Sequence, residues 1–298
     1  MEESILRKIV RLVIAVGAVG AVGLGAAVCL SGSADAAQSA ILDGSTSLDY
    51  RAATLAEAQR LYYNAQYDTA ASLILASRES DPEDLAAYEI RTSALLFQIK
   101  RALGDRPDKE KTFKQCVMCP GLMAAFLSDT AQGQKLARAR LAKNPQDIAA
   151  LFFLGKLDLN YVWLQLGTLG RKTGWDQYWE ARRSLDSVLK RDPRHIRARV
   201  ARAWIDYIVD TRMPRGTRWM LGGGNKKRAL VAVREAANTP ADVFIHAEAE
   251  FALWDMLVRE RNFNEATTIA RQLAVDFPEN RELANFLTVH DPSPGLEP

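Results

Sequence analysis

The sequence predicts an all-α protein built as a solenoid of helical hairpins. Alanine, leucine, arginine and glutamate recur at helical spacing along most of the 298 residues, whereas the alternating apolar and polar runs typical of strands are scarce. A pattern of aromatic, small and apolar residues ending in proline also occurs three times. These observations indicate helix pairs that must stack, since one pair cannot bury its apolar face alone.

Composition argues against one functional class, the nucleic-acid-binding proteins. With 48% hydrophobic and 25% charged residues, the chain is ordinary globular material. The net charge of +3 and the isoelectric point near 8.7 are too mild for the strongly basic surface of a nucleic-acid-binding protein. We therefore expect no nucleic-acid partner.

The amino terminus has the pattern of an export signal. Three cations within the first eleven residues precede an uncharged apolar run over residues 12–30, and the small residues of Ala34-Asp35-Ala36 follow. Residues 1–36 are thus predicted to be a signal peptide cut after Ala36. The run is also long enough for an uncleaved inner-membrane anchor. Either reading places the rest of the chain in the periplasm or cell envelope, because the positive residues before the apolar run stay on the cytoplasmic side of the membrane.

The remaining chain divides into three parts. Residues 37–49 read as a polar linker, residues 50–288 as the repeat domain, and residues 289–298, with three prolines, as a disordered tail. Lipid attachment at Cys29 is disfavoured, because the branched Val28 stands where a small residue is usual.

The repeat becomes visible when the sequence is aligned on prolines. Relative to a central alanine, an aromatic residue stands at −3, apolar or small residues at +4 and +7, and proline at +12. The copies are Tyr67, Ala70, Ile74, Ser77 and Pro82; Tyr178, Ala181, Leu185, Val188 and Pro193; and Phe263, Ala266, Ala270, Leu273 and Pro278. Weaker copies contain Gly133 and Ala137 before Pro145, and Ala232 before Pro240.

This pattern resembles the second helix of a tetratricopeptide (TPR) repeat. The first helix of one repeat is represented by Leu151, Leu154 and Gly155, although Asp158 stands where the family has tyrosine. The resemblance implies a right-handed superhelix of about five hairpins, closed by a terminal helix over residues 279–287. The repeat prolines are 63, 48, 47 and 38 residues apart. The family repeat is about 34 residues, so the array is expected to be irregular, with long helices and loops.

Tryptophans are concentrated in the middle of the chain. Five of the six lie between residues 161 and 219: Trp163, Trp175, Trp179, Trp204 and Trp219. Tryptophan is enriched at binding hot spots, so some of these side chains are candidates for a partner-binding surface. The alternative is that they fill wide spaces between the helices of an irregular array.

A basic, glycine-rich segment follows the tryptophans. Three glycines at 222–224 precede a helix predicted to start near Asn225. The surrounding cations are Arg212, Arg215, Arg218, Lys226, Lys227 and Arg228. Because backbone N–H groups at a helix start attract anions, the segment is a candidate site for an anion or an acidic partner. The alternative is a purely structural loop.

Two cysteines three residues apart stand before a predicted helix. In an oxidising envelope, Cys116 and Cys119 are expected to form a local disulfide next to Pro120. Free thiols, and redox or metal chemistry, are the alternatives. The thioredoxin context and two further zinc ligands at suitable spacing are missing from the sequence.

The TPR resemblance and the export signal together predict a non-enzymatic envelope scaffold that binds a protein or peptide along its inner surface. The sequence lacks local signatures of hydrolases, zinc proteases and nucleotide-binding enzymes, so neither catalysis nor a cofactor is predicted. The alternative is a small-molecule carrier or transporter-accessory protein. An enclosed apolar pocket would favour the carrier, and an open groove the scaffold.

Overall fold

The computed structural model describes residues 50–104, 106–171 and 173–291, without the side chains of Arg215 and Thr217. This part of the chain is helical and contains no strand. In chain order, the helices are α1 (50–63), α2 (Tyr67–Ser77), α3 (Leu85–Leu103), α4 (Lys109–Gln115), α5 (Cys119–Lys143), α6 (Ile148–Val162), α7 (Trp175–Arg191), α8 (Ile196–Arg212), α9 (Lys226–Ala237), α10 (Val243–Arg259), α11 (Phe263–Asp276) and α12 (Arg281–His290).

These helices form a solenoid of five hairpins. The pairs are α1 with α2, α3 with α5, α6 with α7, α8 with α9, and α10 with α11, and α12 packs on the last pair. The predicted all-α hairpin solenoid with a terminal helix is therefore confirmed.

The repeat alanines lie where two helices touch. Ala70, Ala181 and Ala266 are at most 1% exposed. A Cβ atom added to Gly155 on α6 would lie 3.0 Å from the Leu185 side chain on α7, so the small residues set the distance between paired helices. The three strong copies of the repeat are in the predicted register.

The weak copy before Pro240 is in a different register. Ala229 and Val233 are buried in α9, whereas Ala232 is only half-buried. The prediction for Ala232 was wrong because α9 ends three residues before Pro240, while α7 ends two residues before Pro193.

The helix that follows each repeat proline begins in the same way. The residue two positions after the proline accepts a hydrogen bond from a backbone N–H of the first turn, which satisfies an otherwise unpaired donor. These N-caps are Asp84, Asp147, His195, Asp242 and Asn280. Proline ends one helix and the cap starts the next, so the turn is encoded in three residues.

The irregular repeat spacing comes mainly from one kind of connection. In the first and fifth hairpins, three residues join the two helices, at 64–66 and 260–262. In the three middle hairpins the corresponding segments are 104–118, 163–174 and 213–225. Because paired helices are antiparallel, these three long segments lie at the same end of their hairpins.

The fifth hairpin also contacts the first. The Asn64 side chain accepts a hydrogen bond from the backbone N–H of Glu279 at 3.0 Å, and Asn280 donates to the Tyr63 carbonyl oxygen at 2.7 Å. The Tyr63 ring stacks on Phe251, with centroids 5.4 Å apart. Five hairpins therefore suffice to bring the beginning and end of the domain together.

Several boundary predictions fall at the chain ends. The predicted signal peptide or anchor (1–36) and linker (37–49) lie outside the described residues. Among those described, no helix is both long and apolar enough to cross a membrane. The tail was predicted from residue 289, but α12 continues to His290 and Asp291 pairs with Arg271.

Candidate interaction surface

The first helices of the hairpins meet around four charged side chains, here called the charge quartet: Glu89, Lys156, Arg197 and Glu248. They come from α3, α6, α8 and α10, and their side chains are 6–17% exposed. Lys156 Nζ lies 2.6 Å from Glu248 and 3.5 Å from Glu89. Arg197 lies 2.9 Å from Glu89 and also pairs with Glu248. Each cation thus bridges both carboxylates.

The electrostatics of the quartet favour the charged forms of Glu248, Lys156 and Arg197. Burial by itself raises the pKa of Glu248, but Arg197 and Lys156 lower that pKa to about 2. Burial acts to lower the pKa of Lys156, yet Glu248 and Glu89 bring it above its ordinary value. A buried charge is tolerated when it is fully paired, and this quartet has equal numbers of either sign.

Aromatic rings pack beside the quartet. Tyr62 and Tyr63 of α1 are buried enough that their pKa values lie well above the ordinary range, with the nearby carboxylates adding to the shift. The inner surface was expected to hold a partner segment. Instead, the first helices fill this space with their own side chains, so the structure differs from that expectation.

Asp158 is the buried residue at the family's tyrosine position. It is 0% exposed, and its Oδ1 accepts a hydrogen bond from Gln134 Nε2 at 2.6 Å. Its Oδ2 has no donor among the described residues. Burial, and then the neighbouring Glu180 carboxylate, raises the pKa of Asp158 to about 8. The fold therefore favours the protonated form of Asp158, which avoids a buried negative charge on an oxygen that has no donor in the described part of the chain.

The five candidate tryptophans divide into two groups. Trp163, Trp179 and Trp204 are half-buried and pack against core clusters, and the Trp163 and Trp204 rings meet edge to face at 6.4 Å. Trp175 is 39% exposed and Trp219 is 75% exposed. The structure therefore offers only Trp175 and Trp219 as prominent surface contacts.

The glycine-rich segment is held by the chain's own acids. Helix α9 does begin after Asn225, whose side chain accepts from the Arg228 backbone N–H at 2.9 Å. Asp210 accepts from the Lys226 backbone N–H at 2.8 Å and also pairs with Arg218. The position predicted for an external anion is thus occupied by the Asp210 carboxylate.

The candidate cations of this segment differ in how they are paired. Lys226 Nζ lies 2.6 Å from Glu260, and Arg218 is engaged by Asp210. Arg212 and Lys227 are exposed and have no ion-pair partner in the described part of the chain. Arg215 begins a 3₁₀ helix that runs to Leu221, but its side chain lies outside the description.

The glycines themselves have a structural role. A Cβ atom at Gly224 would lie 2.6 Å from the Asp210 backbone nitrogen and 2.7 Å from the Asp206 carbonyl oxygen, so the segment can approach α8 only with glycine there. Gly222 has a φ of +76°, a left-handed conformation that favours glycine.

The first two long connections contact each other, and the third is bonded to the helix that follows the second. Arg171 lies 3.1 Å from Glu110 and its guanidinium lies over the Phe113 ring, which joins the second connection to the first. The Tyr178 hydroxyl, at the start of α7, donates to the Leu221 carbonyl oxygen at 2.8 Å and so reaches the third. We call the described residues at this end of the hairpins, 104, 106–118, 163–171, 173–175 and 213–227, the connection face.

Large apolar side chains protrude from the connection face. Cys116 and Cys119 are joined by a disulfide, and the two residues between them, Val117 and Met118, are 98% and 60% exposed. Met220 is 41% exposed beside Trp219. With Trp175, five large apolar side chains are presented to solvent on this one face.

Sequence reasoning missed most of this surface. Val117 and Met118 carry a partial signal, since they are two large apolar residues within a short Cys-x-x-Cys loop, and the structure shows both of them exposed. The charge quartet carries no such signal, because its members stand 7, 11, 4 and 8 residues after their respective repeat prolines. They share no repeat position and meet only in three dimensions.

Comparison with known proteins does not assign this chain to a family. The sequence matches no protein-family profile and no curated protein. Among solved structures, it is similar to a thermophilic TPR protein of Thermus thermophilus, with 15% identity, a TM-score of 0.43, and coverage of 80% of this chain and 97% of that chain.

Within the described residues, no group of three or more His, Cys, Asp or Glu side chains is placed to hold a metal ion.

Proposed function

We propose that this chain is an exported, non-enzymatic scaffold that binds another protein through its connection face. The observation that carries the proposal is the set of five exposed apolar side chains on three connections at the same end of their hairpins, two of which are joined by the Arg171–Glu110 pair. Exposed apolar side chains that form a contiguous patch mark interaction sites, whereas singly scattered ones are normal. Export is supported by the signal-like amino terminus and by a disulfide that suits an oxidising compartment.

The connection face fits this role better than the inner surface does. A partner inserted among the first helices would have to separate paired, buried charges at a large free-energy cost. On the connection face, binding would cover apolar atoms that already face water, which is favourable. The scaffold would thus act through its elaborated connections, while the paired helices keep those connections in place.

A small-molecule carrier is the weaker alternative. Carriers enclose most of their ligand in a largely apolar cavity. The depression beside the disulfide has a volume of about 470 Å³ but opens to solvent, and a second of about 550 Å³, lined by Arg78, Asp129 and Lys135, is also open. Such shapes suit a side chain of a partner better than an engulfed ligand.

Site-specific photo-crosslinking tests the proposal. A photoreactive amino acid would replace Val117 on the connection face, Val275 on α11 as a control that is 79% exposed, and Phe251 on the inner side of the fifth hairpin. After irradiation of the native envelope, we expect a discrete protein adduct from Val117 and none from the other two positions. An adduct from Phe251 without one from Val117 would place the partner inside the solenoid and contradict the proposal.

A further inference from the structure

The connection face has a surplus of positive charge. Its three connections, residues 104–118, 163–174 and 213–225, contain eight lysines and arginines against three acids in the sequence. In the charge quartet, by contrast, two acids balance two bases. A surface of this kind attracts a partner of opposite charge.

Individual cations of the connection face are free to make such contacts. Arg106, Lys111 and Lys114 surround the disulfide in sequence, are exposed, and have no ion-pair partner within the described ranges. Arg212 and Lys227, on either side of the third connection, are also exposed and also have no ion-pair partner in the described part of the chain.

The first connection also contains all three of the acids, Asp105, Asp108 and Glu110. Glu110 is paired with Arg171, and the Asp108 side chain accepts a hydrogen bond from the Lys111 backbone N–H, so these two acids are already engaged by the chain itself.

The depression beside the disulfide shows how charge and apolar surface combine. Its lining includes the Arg106 side chain together with Ala102, Thr112, Val117 and Met118. One wall is therefore cationic and the remainder mainly apolar or weakly polar. The Arg106 guanidinium would pair with a carboxylate of a partner segment that enters here. The apolar atoms of the lining would contact a neighbouring hydrophobic side chain of the same segment.

We propose that the partner segment bound by the connection face is acidic, with a carboxylate at Arg106 and a neighbouring apolar side chain in the depression beside Val117 and Met118. This inference rests on the proposed scaffold function and adds the chemistry of the partner. The depression favours a polypeptide over an anionic lipid surface, because a side chain can enter a recess that a flat layer of headgroups only covers.

Two synthetic polypeptides test the charge preference directly. The full chain, in a nonionic detergent, is titrated with a random copolymer of glutamate and tyrosine, and separately with one of lysine and tyrosine of equal length. We expect binding of the acidic copolymer only. The double variant Arg106→Gln/Lys114→Gln should bind about three- to tenfold more weakly, since exposed ion pairs contribute modestly. The difference should shrink as salt is raised.

A matched variant controls for general loss of charge. Lys143→Gln/Arg194→Gln removes two exposed cations from the turns at the opposite end of the hairpins, and it should bind like the wild type. Unchanged affinity of the Arg106/Lys114 variant, equal losses in both variants, absence of binding to the acidic copolymer, or equal binding of the lysine copolymer would each overturn the inference.

The photo-crosslinking result separates this inference from the proposed function. A protein adduct at Val117 together with charge-insensitive copolymer binding leaves the scaffold standing and removes the acidic partner. Loss of the protein adduct removes the scaffold function itself. An adduct between Val117 and lipid would assign the face to the membrane surface and contradict both.

Discussion

The charge quartet and the connection face use the same residue types in opposite ways. In the quartet, two cations and two carboxylates are buried and paired across four helices. On the connection face, cations such as Arg106, Lys114 and Lys227 are exposed and have no ion-pair partner among the described residues, and large apolar side chains project beside them. The comparison indicates that pairing, rather than residue type, distinguishes the structural charges of this solenoid from those available to a partner.

The two regions also differ in what holds them in place. The quartet lies on long helices whose own packing fixes each side chain. The connection face is attached at helix ends, where the disulfide, the Arg171–Glu110 pair and the Tyr178 hydroxyl bond restrict three long segments. Substitutions should therefore reduce stability in the first region and binding in the second.

The largest effect on stability is expected at Glu248. Glu248→Gln leaves Lys156 and Arg197 with only Glu89 in a buried site, so the free energy of unfolding should fall by about 3–5 kcal/mol. Glu235→Gln is the matched control, because Glu235 pairs with Arg199 but its side chain is 62% exposed. That variant should lose at most about 1 kcal/mol in denaturant unfolding. Equal losses would mean that the quartet is not the buried network described.

Asp158 should make stability depend on pH. The pKa of Asp158 is about 8 in the fold, well above the ordinary value near 4. Between pH 4 and pH 8, the folded state therefore holds a proton that the unfolded state has lost. Stability conferred by this proton is therefore present in full below pH 4 and is lost as pH rises through 8. Asp158→Asn should remove this loss, gaining about 3–4 kcal/mol relative to wild type between pH 5 and pH 8.

The control for this pH effect is Asp186→Asn, which alters a carboxylate that is 52% exposed beside Arg202. Its unfolding free energy should run parallel to that of the wild type from pH 5 to pH 8. If the unfolding free energy of Asp158→Asn also stays parallel to that of the wild type, then burial and Glu180 do not raise the pKa of Asp158 in the fold.

The repeat register provides the next effect. Ala181→Leu and Ala266→Leu insert atoms where paired helices touch, so each should cost about 1–3 kcal/mol by overpacking. Ala124→Leu on the exposed side of α5 should change the unfolding free energy by no more than about 0.5 kcal/mol. Denaturant midpoints that are the same for all three variants would show that these alanines do not set the helix spacing.

The smallest effect on stability is expected at exposed cations on the connection face and at the adjoining end of α8. Lys227→Gln and Arg212→Gln alter exposed side chains with no ion-pair partner in the described residues. The free energy of unfolding, measured by thermal denaturation, should therefore change by no more than about 0.5 kcal/mol. Lys226→Gln breaks the pair with Glu260 and should be slightly less stable than Lys227→Gln. A larger loss at Lys227 than at Lys226 would contradict the pairing described here.

Local signals predicted the hairpins, and long-range contacts decided the site. The spacing of Ala181, Leu185 and Pro193 predicted a helix, its buried stripe and its end, because these features depend on neighbours within a few turns. The occupation of the helix start by Asp210 was not predictable, since a carboxylate sixteen residues from Lys226 becomes its partner only through folding. The filled inner surface follows from contacts that the repeat pattern does not encode.

Lysine acylation footprinting tests the central claim most directly. The chain is labelled with an amine-reactive reagent, alone and in the presence of the crosslinked partner once it has been purified, and the modified lysines are quantified by mass spectrometry. We expect Lys156 to remain unmodified in both states, Lys111, Lys114 and Lys227 to react in the free chain and become protected by the partner, and Lys143 to react equally in both. Rapid modification of Lys156 in the free chain, or protection of Lys143 without protection of Lys111 and Lys114, would contradict a sealed interior and a partner bound at the connection face.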